Sequence, residues 1–125
     1  MKRVVVTGIG AVTPIGNNIN AYLEGLRNGV SGANLITHFD ASNFKTQFAC
    51  EVKGLDIENL VDRREARRMD LFSIYGAISS DEAIADAGLE PEKLDLDRVG
   101  VIWGSGIGGL KSLEVEIEEI GRAHV

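Results

Sequence analysis

The sequence predicts an α/β fold in which buried strands alternate with helices. Two observations lead to this prediction. Residues 4–6 and 99–103 are apolar, rich in valine, and each run is followed closely by a glycine-rich segment, as in buried strands with tight exits. Between them, apolar residues recur at the helical period in residues 19–26 and 71–87. With 125 residues, the chain is expected to form one domain with a modest core.

The first elements follow in order. A strand is expected at residues 4–6, with weak strand character as far as Val12. Asn17 or Asn18 is expected to cap the following helix, and Gly29 to end it. Residues 31–49 mix small polar residues with scattered phenylalanines, which predicts an ordered loop with little regular structure.

The second half of the chain is more helical. Residues 58–69 are compatible with a helix but very highly charged. Residues 71–87 predict a core helix ended by Gly88, with small side chains that would let a second element approach closely. After the second strand, residues 110–125 fit either a strand or a helix, and we favour the helix.

Composition excludes several classes of protein. The chain has 13 Lys and Arg residues against 19 Asp and Glu residues, a net charge of −6, which disfavours a general nucleic-acid surface. No uncharged run approaches the roughly 18 apolar residues of a membrane span, and the start lacks the apolar core of a signal peptide. The single cysteine, Cys50, is expected to be half-buried and structural, and it suits a reducing cytoplasm.

One glycine motif has two interpretations. Gly104, Gly106 and Gly109 match G-x-G-x-x-G after a predicted strand, the context in which backbone N–H groups bind a dinucleotide. The same glycines could instead serve only tight turns and close packing. Ser105 lies where a hydrolase nucleophile would, but the flanking glycines that G-x-S-x-G requires are missing.

Neither histidine is expected to be catalytic. His38 lies alone in a loop, and His124 lies where the chain end would fray. One cysteine, two distant histidines and no cluster of acids offer no metal site, and no cofactor is expected.

Four arginines depart most from the acidic average: Arg63, Arg64, Arg67 and Arg68. On a helix they would lie on neighbouring positions of one turn and the next. One hypothesis is a solvated face that pairs with nearby acids. The other is a docking surface for an acidic partner or a phosphate group, which arginine forks suit.

Beyond these local patterns, residues 3–16, RVVVTGIGAVTPIG, resemble the amino terminus of the β-ketoacyl-acyl carrier protein synthases, the condensing enzymes of fatty acid synthesis. The likeness is close to the bacterial synthase II type. It continues through ordered motifs at residues 31–32, 38–40, 48–49, 62–70 and 104–110.

The resemblance implies a thiolase-like layered fold made of two related α/β halves. Residues 1–125 would supply the amino-terminal part of the synthase N-terminal domain, incomplete as it stands. Residues 111–125 depart from the family's pattern and are expected to be an atypical tail.

The resemblance also implies a reaction, a decarboxylating Claisen condensation. In the family a cysteine accepts the acyl group and two histidines assist loss of CO2 from malonyl-acyl carrier protein. All three belong to segments that would follow Val125, so this chain alone is expected to be inactive. Acyl carrier protein and malonyl-acyl carrier protein would be its partners. The location would be cytoplasmic and the complete enzyme a homodimer, whereas this chain by itself is expected to associate or aggregate.

Two features correspond to family positions. Ile107 resembles the residue that borders the acyl-chain pocket, where a bulkier side chain would shorten the accepted acyl chain. Arg64, Arg67 and Arg68 resemble the residues that dock the carrier protein, and because the charge pattern agrees, docking is favoured over a solvated face. The alternatives are a polyketide ketosynthase, a standalone non-catalytic module that binds carrier protein, and a nucleotide-binding α/β domain.

Overall fold

A computed structural model describes residues 2–123. It is a mixture of helix and strand in which helix predominates. The elements are α1 (Ile19–Arg27), β1 (Ala33–Leu35), β2 (Phe48–Cys50), α2 (Ile57–Leu60), α3 (Arg63–Ala66), α4 (Leu71–Asp86) and α5 (Leu110–Ala123), with 3₁₀ turns at Pro91–Lys93 and Leu96–Arg98.

Helix α1 begins and ends as its sequence predicts. The Asn18 side chain accepts a hydrogen bond from the Ala21 N–H at 2.8 Å, which satisfies one of the free donors of the first turn. Gly29 has a φ of +62°, the left-handed conformation that ends a helix with little cost only in glycine.

Residues 31–49 contain more regular structure than predicted. Strands β1 and β2 pair antiparallel, with Ala33 opposite Cys50 and Leu35 opposite Phe48. Three residues on each side are too few to show the alternation by which strands are identified in a sequence. Cys50 is exposed on this short ribbon, so the prediction of a half-buried cysteine is wrong.

Helix α4 is the centre of the described structure and confirms the predicted core helix. Ile74 and Ile78 are 4% and 7% exposed. The predicted close approach is also present, because a Cβ added to Gly10 would lie 1.9 Å from the Ser79 carbonyl oxygen. Only glycine lets the glycine-rich segment after residue 6 lie this near the helix backbone.

The two predicted buried strands are wrong for the described residues. Residues 4–6 and 99–103 belong to no sheet, since β1 and β2 form the two-stranded sheet. A strand exists only through hydrogen bonds to a neighbour, and neither run has one in the described structure. Their apolar side chains are more than half exposed instead, with Val4 92% and Ile102 98% exposed.

The remaining helical predictions are confirmed in part. Residues 110–123 form a helix, α5, as favoured. The charged segment 58–69 is not continuous, because Val61 has extended dihedrals and separates α2 from α3. Within residues 2–123, no helix is both long and apolar enough to cross a membrane.

Candidate functional site

The four arginines Arg63, Arg64, Arg67 and Arg68, here called the basic patch, lie on and just after α3. Asp62 caps this helix, and its carboxylate accepts hydrogen bonds from the Arg64 N–H at 2.8 Å and the Glu65 N–H at 3.3 Å. Arg67 is the helical C-cap, and the Arg68 N–H donates to the Glu65 carbonyl at 2.9 Å. A single tight turn therefore brings four exposed guanidinium groups onto one short segment.

The basic patch has no ion pair with another described residue. Two of the neighbouring carboxylates are engaged elsewhere. Asp62 holds backbone amides of α3, and Asp70 accepts a hydrogen bond from the Ser112 hydroxyl. The patch therefore keeps its positive charge at the surface of an acidic protein, and this favours a docking surface over a face that pairs its charges internally.

Ile107, the predicted acyl-pocket residue, lies in the loop before α5 and is 80% exposed. It borders a cleft of about 160 Å³ together with Leu71 and Phe72. The described residues do not enclose it, so no closed acyl pocket forms around it here. The structure also does not bring it to the cavity beside the basic patch, which different residues line.

The glycine-rich segments meet beside α4. A cavity of about 350 Å³ is lined by Val12, Thr13, Gly104 and Ser105, among others. The indole of Trp103 covers Gly76 of α4, at 2.9 Å from where a Cβ would be. Of the three glycines in the G-x-G-x-x-G motif, Gly109 has a φ of +76° and serves the turn before α5, whereas a Cβ added to Gly104 or Gly106 would meet no atom within 4 Å.

The candidate nucleophiles and bases do not form a catalytic cluster. Cys50 is exposed on β2, and His38 has its Nε2 atom 3.9 Å from a Glu51 carboxylate oxygen. His124 lies outside the described residues. Among residues 2–123, no three His, Cys, Asp or Glu side chains are grouped to hold a metal ion.

Three carboxylates that sequence reasoning missed position the backbone. Glu82 accepts from the Ala11 N–H and the Ile19 N–H, both at 2.8 Å, and Asp86 accepts from the Ile9 N–H at 2.9 Å. The sequence signal for Glu82 and Asp86 was their spacing of four residues on α4, since this spacing places both carboxylates on one helix face.

The third is Glu51, which is 9% exposed. It accepts from the Thr37 N–H at 2.9 Å and from the Thr37 hydroxyl at 2.7 Å. These hydrogen bonds hold the pKa of Glu51 below its usual value, with a smaller lowering from His38, although burial acts in the opposite direction.

Comparison with known proteins identifies the family. The family model described as "Beta-ketoacyl synthase, N-terminal domain" matches residues 1–123. The 3-oxoacyl-[acyl-carrier-protein] synthase 2 of Synechocystis sp. is 50% identical over 113 residues, which are 90% of this chain and 27% of the relative. Its counterpart in Vibrio cholerae is 46% identical with the same coverage.

Among solved structures, this chain is similar to one from a complex of a type II polyketide synthase ketosynthase with its acyl-carrier protein. The TM-score is 0.66 at 27% sequence identity. The match covers 96% of this chain and 32% of the matched one. The chain spans about 27% of the length of each of these two synthase 2 relatives.

Proposed function

Because the chain belongs to the β-ketoacyl synthase N-terminal domain family, we propose that it is the amino-terminal part of a 3-oxoacyl-acyl carrier protein synthase, an acyltransferase of fatty acid elongation. The observation that carries this is the match over residues 1–123, with 50% identity to a synthase 2. The enzyme that contains these residues is called the complete synthase below.

The proposed reaction joins an acyl thioester to malonyl-acyl carrier protein with loss of CO2. None of the residues described above supplies its nucleophile or its histidines, so the proposal gives this chain two supporting tasks, carrier docking and shaping of the acyl pocket. The layered thiolase-like arrangement, a homodimer, a cytoplasmic location and the atypical character of residues 111–125 are parts of the same proposal.

A polyketide ketosynthase is the second candidate, supported by the similar ketosynthase structure. Sequence identity favours the fatty acid enzyme, since it is 50% to the synthase 2 of Synechocystis sp. and 27% to that ketosynthase. Assay of the complete synthase with straight-chain acyl thioesters tests this directly. Repeated extension without reduction of the product would contradict the fatty acid proposal.

Carrier docking is assigned to Arg64, Arg67 and Arg68. The support is their exposure and the absence of an ion pair with another described residue, together with the similar ketosynthase that is in complex with an acyl-carrier protein. The test exchanges Arg64→Glu with Arg68→Glu in the complete synthase. Association with acyl carrier protein at low salt should slow by about tenfold or more, because charged surfaces steer encounter. High salt should slow the wild type in the same way.

A matched control changes net charge equally at two exposed positions that do not belong to the patch, with Lys45→Glu and Arg98→Glu. It should retain most of the wild-type association rate. An unchanged association rate in the Arg64 and Arg68 variant at low salt would contradict the docking assignment.

The acyl-pocket role is assigned to Ile107. Its exposed apolar side chain is available to contact an acyl chain or another segment of the complete synthase. Ile107→Phe should shift the product distribution towards shorter acyl chains, because the ring occupies space that the chain end needs, whereas Ile107→Val should leave long products in place. Equal distributions in both variants would contradict the assignment.

A further inference from the structure

A groove of about 400 Å³ adjoins the basic patch. It lies where α2, α3 and α4 meet. Ile74 of α4, 4% exposed, forms its floor. The full lining is Ile57, Glu58, Arg63, Ala66, Arg67 and Ile74.

The chemistry of the groove changes from its floor to its rim. Ile57, Ala66 and Ile74 offer apolar surface without polar groups to hold a phosphate or a sugar. Arg63 and Arg67 stand on the rim, and neither has an ion pair with another described residue. An apolar floor beside unpaired guanidinium groups suits an apolar side chain that is flanked by carboxylates.

Among the described residues that line the groove, Glu58 is the one acid. It would repel an acidic partner at its own side of the groove, while the basic patch attracts at the other side. The occupant is thereby oriented, with its carboxylates towards Arg63 and Arg67.

We propose that this groove receives an apolar side chain from the acidic surface by which acyl carrier protein docks on the basic patch. The inference rests on the proposed function above, and it adds to the arginines a second, uncharged contact. The arginines set the rate of encounter, whereas burial of the apolar side chain sets how long the complex lasts.

The test fills the groove without changing charge. Ala66→Leu in the complete synthase adds an apolar side chain inside it and keeps a good helix former on α3. Dissociation of acyl carrier protein should become about tenfold faster, the effect of losing burial of roughly one aliphatic side chain. The association rate and its dependence on salt should stay as in the wild type.

Ala66→Ser is the matched control, since it leaves the groove open and should dissociate at the wild-type rate. Turnover of a pantetheine acyl thioester, which bypasses the carrier protein, should be unchanged in Ala66→Leu and shows that the variant is folded. A second variant, Ile57→Ala, removes part of the wall and should also speed dissociation.

The outcomes separate the two proposals. Suppose that association is slower in the Arg64 and Arg68 variant but dissociation is at the wild-type rate in Ala66→Leu and Ile57→Ala. This result would overturn the proposal that the groove binds an apolar side chain, and it would leave carrier docking on the basic patch in place. Absence of carrier binding by the wild-type synthase would overturn both.

Discussion

Glu51 shows how one residue fixes the two ends of the loop between β1 and β2. Its carboxylate is bound twice by Thr37, fourteen positions earlier, at the point where the chain leaves β1. Because these bonds favour the charged form, the pKa of Glu51 is lowered in the folded protein from its ordinary value of 4.5. Its contribution to stability is therefore present above pH 4.5 and is lost as the pH falls through the lowered, folded-state pKa.

This linkage can be measured in the complete synthase by comparing Glu51→Gln with the wild type. The wild type should have the higher thermal midpoint at pH 7, and the difference should shrink as the pH falls below 4.5. Glu58→Gln, at an exposed carboxylate with no hydrogen bond to described residues, is the control. A difference that stays constant down to acid unfolding would show that Glu51 does not titrate as the Thr37 bonds require.

Glu82 is a second residue that stabilises the fold by accepting hydrogen bonds from backbone N–H groups. It joins the glycine-rich segment to the first turn of α1 through the N–H groups of Ala11 and Ile19. Glu82→Ala leaves two partly buried donors without this acceptor, so we expect a loss of about 2 kcal/mol in the free energy of unfolding. Asp81→Ala, at the neighbouring exposed position, should change it by less than about 0.5 kcal/mol. Denaturant titration of both variants of the complete synthase tests this, and equal losses would refute the specific role of Glu82.

Local signals at single residues were readable in the sequence, and long-range ones were not. The Asn18 cap and the left-handed Gly29 and Gly88 depend on neighbours within one turn. The bonds of Glu82 join positions 71 and 63 residues apart, and no periodicity in one sequence specifies such a pair. The candidate docking arginines could be identified from the sequence alone, because four like charges within six positions are unusual.

At the scale of elements, helices followed from the sequence better than strands. Helix α4 carries its hydrogen bonds within itself, so its pattern is sufficient to place it between residues 71 and 86. A strand needs a neighbour, and residues 4–6 and 99–103 show the composition of strands without one in the described structure. The same dependence explains why the sequence did not predict β1 and β2, since each is a strand only because it pairs with the other.

The contact between the first glycine-rich segment and α4 gives a prediction at this scale. Gly10→Ala would put a Cβ 1.9 Å from the Ser79 carbonyl oxygen, so the segment must move away from the helix. Gly100→Ala, where no atom lies within 4 Å and φ is not positive, is the matched control. We expect Gly10→Ala to lower the thermal midpoint of the complete synthase by several degrees, from a loss of about 2 kcal/mol, and Gly100→Ala to leave it nearly unchanged. Equal midpoints would mean that the segment does not pack on α4 in this way.

At the scale of the whole molecule, apolar surface exceeds what the described residues bury. Buried apolar side chains are Ala41, Ile74 and Ile78, none of them less than 2% exposed, whereas Val4, Val101 and Ile102 are at least 90% exposed. Apolar patches of this kind mark surfaces that another segment or molecule covers. The 125-residue chain alone should therefore associate, because contact between copies removes this surface from water.

Sedimentation velocity over a range of concentrations tests the association directly. The 13.5 kDa chain should appear as a concentration-dependent mixture of larger species and should bind a dye that reports exposed apolar surface. Val4→Lys with Ile102→Lys should reduce both signals, because each change places a charge in a contact that forms only between copies and disturbs nothing buried. A charge change of equal sign at the polar positions Asn34 and Ser42, both exposed, should have a smaller effect. If the wild-type chain stays at 13.5 kDa and binds no dye, its exposed valines and isoleucines do not drive association between copies, and the prediction is wrong.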